Sequence, residues 1–139
     1  MTPMRLLESR SFQVAFGSIR LARNLPGQLK TPGTLAFMSP HRGSVAANAE
    51  GGLEELYRAS KAALNILARG IYADIREQGH TVLTIHPGWA ATSMGTLNGT
   101  VEAGIDVDTS VRGVADVVER HRRCGDHLYV DDEDRQWPW

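Results

Sequence analysis

A tyrosine and a lysine four residues apart, Tyr57 and Lys61, open the longest helical stretch of the sequence, Tyr57-Arg58-Ala59-Ser60-Lys61-Ala62-Ala63-Leu64-Asn65. On a helix that spacing stacks the two side chains one turn apart on one face. A phenol with a pKa of about 10 is a poor proton donor or acceptor at neutral pH, and an adjacent ammonium favours the phenolate. A tyrosine tuned in this way can exchange a proton with an alcohol or carbonyl oxygen during hydride transfer. The bare pair is also the pattern of a half-buried tyrosine beside a snorkelling lysine. The order of the surrounding elements decides between the two.

Hydrophobic periodicity supplies those elements. Positions 1 to about 25 read as a helix, with Leu6, Leu7, Phe12, Ala15, Phe16, Ile19 and Ala22 at helical spacing, Pro3 in its first turn and Pro26-Gly27 as its stop. The run Thr34-Leu35-Ala36-Phe37-Met38 is short, apolar and bounded by glycine and proline, the pattern of a parallel strand buried on both faces. Positions 39–55 form a loop rich in Gly, Ala, Asn and Ser, long enough to be functional. The next helix, about 53–78, carries Ala59, Ala63, Ile66, Gly70 and Ala73 on one side and Leu64, Leu67, Ile71 and Ile75 on a neighbouring stripe. Gly79 ends it. Positions 80–86 read as a second buried strand and 87–106 as a loop. Asp108, Thr109 or Ser110 then caps a helix running to 123, with Val111, Val114 and Val118 inward and Arg120, Arg122 and Arg123 serving its C-terminus. Positions 126–130 are the third strand, and 131–139 an acidic then aromatic tail. The alternation of helix and strand predicts an α/β parallel layer with right-handed crossovers.

The 139 residues suit one domain, spanning 1–139, with a modest core. Fifteen basic and sixteen acidic side chains leave a net charge of -1, which gives no pull toward nucleic acid or an anionic membrane. Cys124 is the single cysteine, so no intrachain disulfide forms, and a reducing cytoplasmic location is expected. No apolar run approaches the ~20 residues that span a bilayer. Arg5, Glu8, Arg10 and Arg20 interrupt any signal-peptide core near the start.

The succession of strand, Ser/Gly loop, Tyr-x-x-x-Lys helix, strand and the Pro-Gly-x-x-x-Thr loop Pro87-Gly88-Trp89-Ala90-Ala91-Thr92 resembles the C-terminal half of a short-chain dehydrogenase/reductase. The wording Gly51-Gly52 followed by Leu56-Tyr57-Arg58-Ala59-Ser60-Lys61, and the Trp-Pro-Trp ending, are similar to its carbonyl-reductase-like branch. The resemblance runs from about Pro3 to Trp139. It implies a truncated Rossmann-like, doubly wound parallel sheet of about three strands with flanking helices. It also implies NAD(P)(H)-dependent interconversion of a small carbonyl and its alcohol. Tyr57 would be the acid/base, and Lys61 would hold the nicotinamide ribose and favour the phenolate. Pro87, Gly88, Trp89 and Thr92 would lie under the nicotinamide of NAD or NADP. Independently of the resemblance, that loop leaves the C-terminal end of a parallel strand, where open α/β sheets bind ligands. Helices equivalent to 57–78 form the dimer in relatives, so a homo-oligomer is expected.

Two departures qualify the resemblance. The family reads Ser-Ser-x-x-Gly after the strand, whereas this chain reads Ser39-Pro40-His41-Arg42-Gly43-Ser44, and Pro40 has no hydroxyl to offer. Ser44, thirteen residues before Tyr57, is slightly favoured over Ser39 as the catalytic serine. The chain also carries no strand-glycine-helix unit for a pyrophosphate. Met1-Thr2-Pro3-Met4-Arg5-Leu6-Leu7-Glu8 resembles the helix just past the family's catalytic asparagine. The alternative is therefore a non-catalytic remnant, acting as a dimerising or scaffold module or arising as a truncated gene product. The strand at 34–38, lacking its usual neighbour, would expose an apolar edge and promote self-association. His121-x-x-Cys124-x-x-His127 straddles a helix end and a strand, so no metal site is expected. Asp131, Asp132, Glu133 and Asp134 read as a solvated segment.

Overall fold

The computed structural model describes residues 3–49, 54–92 and 95–139, with side chains from Arg10 onward. The Gly51-Gly52 step, the expected helix start at Leu53 and the side chains of Leu6 and Leu7 lie outside the described residues.

Three helices alternate with three strands: α1 (Pro3–Ala22), β1 (Thr34–Met38), α2 (Glu55–Ile75), β2 (Thr81–His86), α3 (Val107–His121) and β3 (His127–Asp131). The strands are parallel in the order β1-β2-β3, with Ala36 opposite Leu83 and Leu83 opposite Leu128. Pro26 starts a 3-10 turn that leads the chain away from α1, and Gly79 closes α2 with a φ of 74°, a left-handed value that glycine adopts freely.

The alternation of side chains along the strands divides the core into two layers. Leu35, Phe37 and Val82 point to one face, where Ala15, Ile19 and Ala22 of α1 and Leu64, Ala68, Ile71 and Ile75 of α2 cover them. Leu83, Ile85 and Val130 point to the other, against Val117 with Val114 and Val118 of α3. Helices on both faces of one parallel sheet make the fold doubly wound. Truncating a buried Leu or Ile in either layer costs about 2–5 kcal/mol.

Several expectations need correction. β1 is not buried on both faces: Leu35 and Phe37 are buried, but Ala36 and Met38 are exposed, because α3 packs over β2 and β3 alone. Among the described residues no strand pairs with its outer edge. On α3 the cap is Asp106, whose carboxylate accepts from the Thr109 amide at 2.7 Å, and the inward positions include Ser110 and Val117, with Val111 60% exposed. On α2 the leucine-isoleucine stripe packs inward, whereas Ala59, Ile66, Gly70 and Ala73 face out. Phe16 of α1 is also exposed. Asp131 is no solvated residue: it ends β3 with no exposure at all. Beyond it the chain turns back antiparallel, with Trp137 N donating to Tyr129 O at 2.8 Å and Asp131 N to Arg135 O at 3.0 Å, so β3's outer edge is covered.

Candidate active site

The C-terminal ends of the three strands converge at one rim of the sheet. The β1 exit, Ser39-Pro40-His41-Arg42-Gly43-Ser44, turns through a 3-10 turn at His41–Gly43 and lies against α2. Gly43 makes that contact possible. A Cβ there would stand 2.9 Å from Lys61 Cβ and 3.0 Å from Asn65 Nδ2, so no side chain fits. Asn65 Nδ2 donates to the Gly43 carbonyl at 3.2 Å and fastens the turn to the helix. From β3, the Tyr129 hydroxyl donates to the Pro40 carbonyl at 2.6 Å.

Tyr57 and Lys61 meet as the helical spacing requires, with Lys61 Nζ 5.5 Å from the centre of the Tyr57 ring. Both are half-buried. Burial raises the Tyr57 phenol above its ordinary pKa, and the Arg42 guanidinium pulls the other way. Burial lowers the Lys61 ammonium. For the phenol, burial is the larger influence, and it opposes the bias toward phenolate expected from a neighbouring cation.

Neither candidate serine is open to solvent. Ser44 is 2% exposed and its Oγ accepts from the Ala47 amide at 3.0 Å. Ser39 is fully buried. Ser39 Oγ and Asn65 Oδ1 approach the Tyr129 hydroxyl, whose pKa burial pushes up to about 12, without completing a hydrogen bond of ordinary geometry.

At the β2 exit, Gly88 has a φ of 75°, and a Cβ on it would stand 2.6 Å from Ile105 Cδ1 and 2.9 Å from Asp132 Oδ1. Glycine is thus required on two counts. The Pro87 carbonyl accepts from the Ser110 hydroxyl, tying the loop to α3. Trp89 is 54% exposed, with Nε1 donating to Gly95 O at 2.6 Å, and Thr92 Oγ1 accepts from the Gly95 amide at 2.9 Å.

Motif reading missed the residues that join these exits. His41 Nδ1 and His86 Nε2 lie 3.1 Å apart, and the Trp137 indole stacks on His41 at 5.1 Å and meets His86 edge-on at 6.0 Å. His86 Nδ1 is buried without a partner. Assigning the shared proton to His86 Nε2 leaves Nδ1 as a bare lone pair, a cheaper orphan than a buried N–H. Asp131 accepts from the amides of Glu133 and Arg135, from Arg135 Nε at 2.8 Å and from Trp137 Nε1 at 3.0 Å. Burial works to raise its pKa, but these bonds prevail and hold it below the carboxylate range. The adjacency of His86 to Pro87-Gly88 was the one local signal for this cluster. His121, Cys124 and His127 do not converge: His121 Nε2 pairs with Asp134, His127 Nε2 with Thr84, and Cys124 is exposed.

A doubly wound parallel sheet with a Tyr-Lys pair and a Pro-Gly loop at its C-terminal rim defines the class as a Rossmann-like dinucleotide-type fold. No protein-family model matches the chain. It is 35% identical over 136 residues to C-signal of Myxococcus xanthus, covering 94% of this chain and 78% of that protein. It superposes on a carbonyl reductase of Pseudomonas aeruginosa with a TM-score of 0.77 and 33% identity, over 89% of this chain and 51% of the other. A short-chain dehydrogenase/reductase of Burkholderia multivorans with bound NADP gives a TM-score of 0.80 at 35% identity, over 88% and 51%. The chain belongs to the short-chain dehydrogenase/reductase family and resembles its C-terminal half. It spans about half the length of the solved structures it matches.

Proposed function

We propose that the chain is the nicotinamide-side half, in a single partial domain over 1–139, of an NAD(P)(H)-dependent oxidoreductase interconverting a small carbonyl compound and its alcohol. The observation that carries this reading is the Tyr57–Lys61 pair, half-buried on α2 beside the strand-end rim. The donor set fits one end of the cofactor. Tyr57 and Lys61 offer hydrogen bonds to ribose hydroxyls, and the Pro87-Gly88-Trp89 loop with the Thr92 hydroxyl suits a ring bearing a carboxamide. NADP in the Burkholderia relative supports a nicotinamide dinucleotide.

When bound, the cofactor supplies or accepts hydride. Tyr57 Oη gives its proton to the substrate oxygen as the carbonyl becomes an alcohol. Because burial keeps that proton on the phenol, the resting site is poised for reduction. Lys61 then offsets the charge left on the phenolate. With Pro40 in the usual serine position, the second donor to the substrate oxygen falls to Ser44, whose proton is still available but which reaches substrate only when the turn at 41–44 opens. A lone exposed Cys124 accords with a reducing cytoplasm.

Titration of the purified chain with NADPH and NADH, read by nicotinamide fluorescence, tests the reading. Saturable binding that is lost in Lys61→Ala, with carbonyl turnover lost in Tyr57→Phe, supports it. Absence of binding up to millimolar cofactor overturns it.

A second reading, a non-catalytic module that associates with copies of itself, is favoured by the apolar edge of β1, which no strand among the described residues pairs with, and by the exposed Val14, Phe16 and Leu21 of α1. The 35%-identical relative also carries the name of a signal rather than of an enzyme. Sedimentation velocity separates the cases: a monomer across the micromolar range ends this second reading.

A further inference from the structure

The last residues of the chain lie against the turn that buries Ser44. Side chains alternate along β3, so His127 and Tyr129 share one face, and their register opposite Val82 and Thr84 makes it the face that α1 and α2 cover over the other strands. There the Trp139 indole closes the layer, its ring centre 4.6 Å from that of His127 and 5.1 Å from that of Tyr129. The Trp139 carbonyl accepts from the Ala46 amide at 3.0 Å. Ala46 stands between Ser44 and Ala47, whose hydroxyl oxygen and amide are themselves bonded at 3.0 Å. The segment after Gly43 is thus hung between two anchors. One is the seat of Gly43 on Lys61 and Asn65, and the other is Trp139. Trp137 is tied by its amide to Tyr129 and by its indole to Asp131, so freedom of the chain end begins at Pro138, which has no N–H to give.

We propose that Trp139 is a positioning residue for Ser44, and that Pro138-Trp139 forms a strap whose lifting frees the serine hydroxyl. This rests on the reading of Ser44 as the second donor to the substrate oxygen. With the indole on Tyr129 and His127, the Ala46 amide is held, the turn is shut and Ser44 Oγ is spent on Ala47. With the indole lifted, Ala46 loses its acceptor and residues 44–47 are fastened at one end only. Gly43 stays seated on α2, so the Tyr57–Lys61 pair keeps its geometry while Ser44 moves. The parts that must move are not locked in the core: Trp139 is 43% exposed, and Val45, between Ser44 and Ala46, is 76% exposed. Because Pro40 offers no hydroxyl, the strap decides whether the substrate oxygen meets a second donor.

Amide hydrogen exchange of the cofactor-free chain, resolved by residue with NMR, is the test. The Ala46 amide reports the strap, and the Ala47 amide reports the bond to Ser44 Oγ. Trp139→Ala is expected to speed exchange at both about tenfold, while Gly43, whose amide bonds to the Pro40 carbonyl, and the β2 amides keep their parent rates. Trp139→Phe, which keeps a ring on Tyr129 and His127, is expected to restore most of the protection. Rates at Ala46 and Ala47 unmoved by Trp139→Ala, or raised no more than those of Gly43 and β2, overturn the proposal. If Trp139→Ala does not fold, exchange of the parent in low denaturant decides. Ala46 and Ala47 opening together, at a lower free energy than Gly43, support the strap. Separate openings, or one shared with Gly43, overturn it. Neither cofactor nor substrate enters the measurement, so failure here leaves the nicotinamide-binding result standing, and the reverse holds equally.

Discussion

His41 and His86, at the ends of β1 and β2, share a ring-nitrogen contact of 3.1 Å roofed by the Trp137 indole. The contact holds one proton between two rings, and the fold keeps His86 neutral. Burial, with His41 next, lowers its pKa to about 4, against an opposing pull from Asp131. Burial and Arg69 do the same to His127, also to about 4.

A pH dependence of stability follows with a definite sign. Between their ordinary pKa near 6.5 and about 4 these histidines take up protons in the unfolded chain but not in the fold. Stability is therefore full above pH 6.5 and declines as pH falls toward 4, by roughly 1–3 kcal/mol for each histidine after allowance for solvent screening. Urea midpoints between pH 7 and 4.5 should fall steadily in the parent and less steeply in His127→Gln. A flat profile would contradict the burial of both rings.

The two glycines of this region predict opposite outcomes. Gly43→Ala forces a methyl against Lys61 and Asn65, and should cost about 1–3 kcal/mol while loosening the Tyr57–Lys61 geometry. Gly70→Ala, on an open face of α2 with nothing within 4 Å, should stabilise by about 0.5–1 kcal/mol. Denaturant titration of both variants is the check. A harmless Gly43→Ala would mean that the turn does not rest on α2 in solution.

Trp137→Ala removes the roof over both histidines and one donor to the buried Asp131 carboxylate. A loss of about 2–3 kcal/mol is expected, together with a weaker near-ultraviolet circular dichroism band. Trp137→Phe should recover stacking but not the hydrogen bond, and so fall between the two.

Asp106→Ala takes the cap from α3 and should cost about 1 kcal/mol by thermal melting. Asp108→Ala, two residues later, should cost less, since Asp106 supplies the side-chain bond to Thr109.

How much was legible in the sequence depended on how local the deciding interaction is. Tyr57 and Lys61 are joined by helical geometry alone, so four residues of sequence located them. β2 was legible as well, because helices cover both its faces and every position from Thr81 to Ile85 is buried. β1 has the same apolar composition, yet its outer face is open, and the reach of α3 is not written in five residues of strand. The phase of α3 was misjudged because Val111 and Val117 both suit an apolar stripe, and the orientation of the helix on β2 and β3 chose between them. Spacing reveals the charge beside Tyr57 but not the burial of its phenol, which depends on how the strand exits pack around α2. His41 with His86, and Tyr129 with Pro40, left no trace in spacing, since the partners are 45 and 89 residues apart.

Those separations carry a kinetic consequence. α1 and α2 build their own turns from contacts three and four residues away, but the strand-end rim exists only after long stretches of chain have closed on themselves. The Tyr129–Pro40 bond, the longer of the two, needs all three strands in register first. Loop closure on that scale is slow and its entropy is recovered late, so the rim is assembled after the helices and opens before them. In hydrogen exchange, amides of residues 39–46 should therefore lose protection well before those of β2, and a small molecule seated at the rim would slow that opening.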